Sequence, residues 1–257
     1  MNTPHQPAIA IVLARAGSKG VPGKNTAVVG GKPCVRWTLE AALSAKAVGR
    51  VLVSSDDEIV LRIAASMGAL PVRRPSDLAS DSARIDDASR HALENANPAS
   101  RDSLPCSSSL PVVILYANVP IRPAGLIDRA VNMLRTTGAD SVQSYAPAGK
   151  HHPWWTARLA AEGEVSPWQG EVLNNGVYRR QDLPPAVIPD GGVLVVTRGA
   201  LFRENAAVPE GPHAFFGLDR RGILNDEGAV IDIDSRIDLL VADAMLRERR
   251  ERHVDAA

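Results

Sequence analysis

The 257 residues carry 29 Lys plus Arg against 29 Asp plus Glu, a formal net charge of zero, so no overall field draws the chain to nucleic acid or to an anionic membrane. Two cysteines, Cys34 and Cys106, lie outside any CxxC or His/Cys ligand pattern, which speaks against a disulfide framework and structural zinc and predicts a reducing, cytoplasmic setting. The length suffices for one α/β domain with a self-sufficient core.

Residues 1–7 are polar with two prolines, and the apolar run after them is far shorter than the roughly 18 residues of a membrane span, so neither signal peptide nor anchor is expected. Residues 9–13 form a continuous apolar run, the pattern of a central parallel strand buried on both faces. Residues 33–45 open with Pro33 near a helix start and place Val35, Leu39, Ala42 and Leu43 at helical spacing. A second strand is predicted at 51–53, then an amphipathic helix at 58–67 stopped by Gly68. This alternation predicts an α/β fold. Further along, the pattern gives a helix at 86–96, a Pro/Ser/Asn-rich loop at 97–111, a strand at 112–115, a helix at 126–134 and a strand at 139–144. Between 145 and 189 the alternation breaks down. That stretch holds Trp154, Trp155 and Trp168 of the four tryptophans and reads as a small lobe or subunit contact within a single domain spanning 1–257. Strands at 193–196 and 231–233 and a closing helix at 235–251 complete the chain.

Directly after the first strand, Arg15-Ala-Gly17-Ser18-Lys19-Gly20-Val-Pro-Gly23-Lys24-Asn25 packs three cations and three glycines. The carboxyl end of a central strand is where open α/β sheets bind ligands. Glycine lets the backbone approach a phosphate, and Arg and Lys supply the charge a triphosphate needs. The glycines are spaced three apart, so the loop is neither a Walker A nor a GxGxxG fingerprint. In Ile231-Asp232-Ile233-Asp234 the strand period of two sends both isoleucines to one face and both aspartates to the other. Two carboxylates on one spot suit a hard divalent cation such as Mg²⁺; alternatively Asp234 caps the following helix. Ser235 with Asp238 fits a capping box.

These blocks, in this order, resemble the acylneuraminate cytidylyltransferases. The resemblance rests on Leu13-Ala-Arg15 with Gly17-Ser18-Lys19-Gly20 and Pro22-Gly23-Lys24-Asn25, on Val53-Ser54-Ser55-Asp56-Asp57, on Arg74-Pro75-Ser-Asp-Leu78-Ala79-Ser-Asp81, on His151-His152-Pro153, on Arg180-Gln181-Asp182-Leu183-Pro184, and on the Ile231 to Asp234 run with Asp238-Leu239. It implies a Rossmann-like nucleotidyltransferase fold with a mixed, mainly parallel sheet, and a homodimer formed through residues 145–189. It also implies Mg²⁺-dependent transfer of CMP from CTP to an acidic sugar, an acylneuraminate or a related nonulosonate. Carried onto this sequence, it places Arg15, Lys24, Asp232 and Asp234 in catalysis, with the two aspartates on the metal. Gly17, Ser18 and Lys19 join Arg15 and Lys24 around the nucleotide, and Asn25, Arg74, Asp81 and Ala83 contact its nucleoside side. Asn118, Arg122, Arg180 and Gln181 fall to the sugar.

The sequence departs from that family in two places. The usual run QPTSPLR is here Tyr116-Ala-Asn118-Val-Pro120-Ile-Arg122, and the usual NGAIY is Asp190-Gly191-Gly192-Val193-Leu194. Both departures bear on the acceptor: another acid such as 3-deoxy-octulosonate, or a nucleotide-binding homologue without catalysis, are the alternatives they raise. Arg84 and Ile85 also stand where the family has small polar residues. His151 and His152, adjacent and without a nearby third ligand, read as a turn before Pro153 rather than a metal site.

Overall fold

The computed structural model describes residues 6–17, 20–96 and 104–255. In chain order the principal elements are β1 (Ala8–Ala14), the short hairpin β2 (Val28–Val29) and β3 (Lys32–Pro33), α1 (Cys34–Ser44), β4 (Val48–Ser55), α2 (Glu58–Ser66), β5 (Leu70–Arg73) and α3 (Ile85–Glu94). There follow β6 (Pro111–Tyr116), α4 (Leu126–Thr137), β7 (Ser141–Pro147), β8 (Ala157–Leu159), β9 (Val165–Pro167), β10 (Val187–Thr197), α5 (Arg198–Leu201), β11 (Arg220–Leu224) and α6 (Arg236–Asp255).

Seven strands form one sheet in the order β11-β7-β10-β6-β1-β4-β5. β1 runs parallel to β4 and β6, β4 to β5, and β7 to β11; β10 is antiparallel to both of its neighbours. The sheet is thus mixed and mainly parallel, with β1 in its interior beside the central β6 and buried along its whole length. The continuous apolar run of β1 has its cause in the two layers that cover it. Ala8, Ala10 and Val12 face a core with Val35 and Leu39 of α1, Val60 of α2 and Leu126, Val131 and Leu134 of α4. Ile9, Ile11 and Leu13 face a second core with Ala88 and Ala92 of α3, Leu201 and Phe215.

Two strands of the seven-stranded sheet have no counterpart in the apolar pattern. β5 and β11 lie at opposite edges of the sheet, and an edge strand tolerates the proline of β5 and the charges of β11 because one side makes no ladder. The strand expected at 231–233 is corrected. Only a single antiparallel bridge, Ile121 to Ile231, forms there, joined by the Ile233 amide donating to the Asn118 carbonyl at 2.9 Å. The alternation survives without the ladder: Ile233 is buried in a third small core with Val29, Cys34 and Leu246, while Asp234 is exposed. Asp238 caps α6 as expected, its Oδ2 accepting from the Ser235 amide at 2.7 Å and the Asp234 amide at 3.1 Å.

Residues 148–186 carry the β8/β9 hairpin and short 3₁₀ turns. Both ring nitrogens of His152 are used inside this lobe. Its Nδ1 accepts from the Trp154 amide at 3.2 Å, and so its Nε2 donates to the Pro184 carbonyl at 3.1 Å. Trp168 is exposed, with Arg158 stacked on its ring at 5.0 Å.

One buried charge cluster yields a stability prediction. Asp86, 1% exposed, accepts from Arg84, Arg90 and Arg203. Burial pushes its carboxyl up, but the hydrogen bonds from Arg84 and Arg203 and the charge of Arg90 prevail and hold it at about 2. A depressed carboxylate stabilises the fold fully above its unfolded value near 4 and loses that contribution as the pH falls toward 2. Some two pKa units correspond to about 2.5 kcal/mol. Urea unfolding between pH 5 and 2 should show this slope in the wild type, and D86N should lack it.

Candidate active site

The site assembles where β1 and β6 end. These strands pair in register through Leu13 and Tyr116, and the chain leaves each toward the same cleft, which measures about 340 Å³ and also receives the segment before α6. Lining it are Arg15, Lys24, Asn25, Arg74, Asp81, Ala83, Asn118, Asp232 and Asp234, together with Tyr116 and Arg84. Parts of the chain more than 200 residues apart in sequence therefore share one cavity.

The loop after β1 is held by its own backbone. Gly23, at φ 67°, accepts through its carbonyl from the amides of Thr26 and Ala27, the left-handed conformation that glycine adopts without a Cβ penalty. This turn aims Lys24 inward, where its Nζ donates to Asp234 Oδ1 at 2.6 Å and to the Ile233 carbonyl at 2.9 Å. Gly20 lies against the Asp234 carbonyl so closely that a Cβ there would sit 2.1 Å from the oxygen. Asn25 lines the cleft yet gives its amide to the Arg15 carbonyl at 2.9 Å, closing the base of the loop. Arg15 pairs with Asp81 across the cleft, and the Ala16 amide donates to Asp56 Oδ1 at 2.8 Å. Gly17 is exposed with open space around it. Ser18 and Lys19 lie outside the described residues.

On the opposite wall Arg74 is buried, its guanidinium donating to Ser54 Oγ at 3.0 Å and the Ser54 carbonyl at 2.8 Å. Burial lowers its pKa to about 10. Asn118 donates its side-chain amide to Asp232 Oδ1. Burial, and then the charge of Asp234, raise the Asp232 carboxyl to about 6 against the opposing pull of Lys24 and Arg122. Two carboxylates in one cleft are a donor set of hard oxygens that suits a divalent cation.

Two of the expected sugar contacts are not brought to this cleft by the single chain. Arg180 is half-exposed on a turn and pairs with Glu227, and Gln181 beside it is exposed. Arg122 does not line this cleft either: it is partly buried, and its guanidinium donates to framework oxygens. Conversely, Tyr116 and Arg84 line the cleft without having been singled out as site residues. The carboxyl-end rule applied to β6 would have found Tyr116. Arg84 is steered by contacts distant in sequence, with the carbonyls of Gly211 and Pro212.

A mainly parallel sheet whose central strands end at a glycine-rich basic loop facing two carboxylates has the architecture of the Rossmann-like nucleotidyltransferases. The protein-family model described as cytidylyltransferase matches residues 9–161, and the chain belongs to that family. It is 28% identical over 218 residues to the N-acylneuraminate cytidylyltransferase of Streptococcus agalactiae serotype V, covering 82% of this chain and 49% of that protein. It is 27% identical over 245 residues to the CMP-N,N'-diacetyllegionaminic acid synthase of Legionella pneumophila subsp. pneumophila, covering 95% of this chain and 97% of that one. The chain thus spans about half the length of the streptococcal relative and nearly all of the Legionella one. Its fold is shared with CMP:2-keto-3-deoxy-manno-octonic acid synthetase complexed with CTP, at a TM-score of 0.67 and 16% identity over 95% of this chain and 100% of that one.

Proposed function

We propose that the protein transfers CMP from CTP to an acidic sugar of the acylneuraminate or nonulosonate type and releases pyrophosphate. The observation that carries this reading is the meeting of Arg15, Lys24, Asp232 and Asp234 in one cleft at the carboxyl ends of β1 and β6. In the reaction a sugar hydroxyl oxygen bonds to the α-phosphorus of CTP, the bond from that phosphorus to the bridging oxygen breaks, and the hydroxyl proton passes to a base. Arg15 and Lys24 hold the phosphates, and their charge counts most where negative charge builds up on the departing pyrophosphate. Asp232 and Asp234 would hold Mg²⁺, which supplies charge neutralisation of the phosphate oxygens. Arg74, Asp81 and Ala83 shape the nucleoside end.

The names of the relatives support the acid-sugar class, and the altered 116–122 segment makes 3-deoxy-octulosonate the alternative acceptor to test. The exposed Val165, Trp168, Val172 and Tyr178 of the 148–186 lobe suit a homodimer contact, which sedimentation would reveal. Among the described residues no helix is long and apolar enough to cross a membrane. The test is pyrophosphate release from CTP and Mg²⁺ with a panel of acylneuraminate, legionaminate, pseudaminate and 3-deoxy-octulosonate. Release with at least one is expected; none with any of them, from a protein that still binds CTP, would leave a non-catalytic nucleotide binder.

A further inference from the structure

The altered segment 116–122 is tied to the rest of the site by Asn118 and Arg122. Arg122 makes four hydrogen bonds to framework oxygens. Its Nε donates to the Gly192 carbonyl at 2.7 Å, its Nη1 to Thr38 Oγ1 at 2.9 Å and to the Val119 carbonyl, and its Nη2 to the Tyr116 carbonyl at 2.9 Å. A guanidinium has five N–H donors in a planar fork, so little of this one is left for a ligand. These bonds gather α1, the end of β6, the following loop and β10 around one partly buried cation.

What that clamp holds still is Asn118. Its carbonyl accepts from the Ile233 amide at 2.9 Å, and its side-chain amide donates to Asp232 Oδ1 and, at 3.2 Å, to the Ile233 carbonyl. One oxygen of Asp232 is thereby committed to the protein. The other, Oδ2, faces Gly191, where even a Cβ would come within 3.4 Å of it. Gly191 thus has no side chain to cover that oxygen, and Asp232 lines the cleft.

We propose that Asn118, fixed in place by Arg122, is a positioning residue that orients Asp232 so that one carboxylate oxygen is anchored and the other is presented to a cation. The proposal rests on the reading of Asp232 as a metal carboxylate. It assigns Asn118 and Arg122 to the metal side of the site, in place of the sugar contacts that the family resemblance implies. Removing a group that orients a metal ligand costs about 10–100-fold in metal affinity or activity.

The experiment is calorimetric titration of Mn²⁺ into the full chain saturated with CTP, for wild type, N118A and R122K, with melting temperatures measured in parallel. N118A is expected to bind Mn²⁺ about tenfold or more weakly while its CTP affinity measured without metal stays within about twofold of wild type. R122K keeps the cation but loses the fork, and is expected to weaken Mn²⁺ binding by a smaller factor; it reads the same coupling should N118A melt too low to titrate. Wild-type Mn²⁺ affinity in both variants would overturn the positioning role, as would a raised acceptor KM with no change in metal affinity, the signature of a direct sugar contact. Failure of the wild type itself to bind CTP or Mn²⁺ would overturn the cytidylyltransferase reading instead, and this assignment with it.

Discussion

Lys24→Ala is expected to weaken CTP binding by about a hundredfold, roughly 2.7 kcal/mol, because it deletes a partly desolvated cation aimed at the phosphates. The Lys24 ammonium is engaged within the protein, donating to Asp234 Oδ1 at 2.6 Å and to the Ile233 carbonyl at 2.9 Å. The Lys24 side chain is 16% exposed but its partner Asp234 is 74% exposed, so solvent screens the pair and leaves Lys24 free to exchange it for a ligand. Removing the cation has two opposite consequences. The triphosphate loses a point charge, whereas Asp232 and Asp234 lose the positive charge that competes with any metal, so Mn²⁺ binding in the absence of nucleotide should be as tight as in the wild type or tighter. A protein merely damaged by the substitution would lose both. Titration of CTP and of Mn²⁺ separately distinguishes the cases, and undiminished CTP affinity would remove Lys24 from the nucleotide site.

Asp232→Asn should abolish turnover almost completely, by about a thousandfold, since a loss of electrostatic stabilisation at the reacting phosphate reaches that size for single groups. The same change should raise the melting temperature by about a few degrees in the metal-free protein. Asp232 is a partly buried carboxylate close to a second one, Asp234, and an amide of the same shape removes that like-charge pairing while its oxygen can still accept from Asn118. Gain of stability with loss of activity is what a site strained for function produces. If D232N retained turnover, or lost it together with several degrees of melting temperature, the aspartate would be a structural residue.

The basic loop after β1 was legible because its information is local: an apolar strand, then glycines and cations in one short run. The strands of the sheet interior were legible for the same reason, since burial on both faces writes itself as continuous Ile, Val and Leu in β1 and β6. The edge strands β5 and β11 were not, because a strand paired on one side is free to carry Pro71, Arg220 and Arg221. The acidic pair was found from its alternation, although a bridge and one further bond stand where a strand was expected. The contacts of Asn118 and Arg122 lay out of reach. Nothing in the order of residues says that the Asn118 amide meets Asp232, 114 positions away, or that Arg122 turns inward to Gly192, 70 positions away. Such choices are made by tertiary packing.

The charges of the cleft are paired to one another, Lys24 with Asp234 and Arg15 with Asp81. A nucleotide alone must draw Lys24 from Asp234, and a cation alone must compete with Lys24; together each relieves the other, which makes their binding cooperative. The most direct measurement is therefore calorimetric titration of CTP into the protein with and without Mg²⁺, with ATP and GTP alongside. The account predicts that CTP binds, that Mg²⁺ tightens it by about tenfold or more, which is about 1.4 kcal/mol, and that the purine nucleotides bind far more weakly. CTP affinity that is absent, indifferent to Mg²⁺ or matched by ATP and GTP would contradict it.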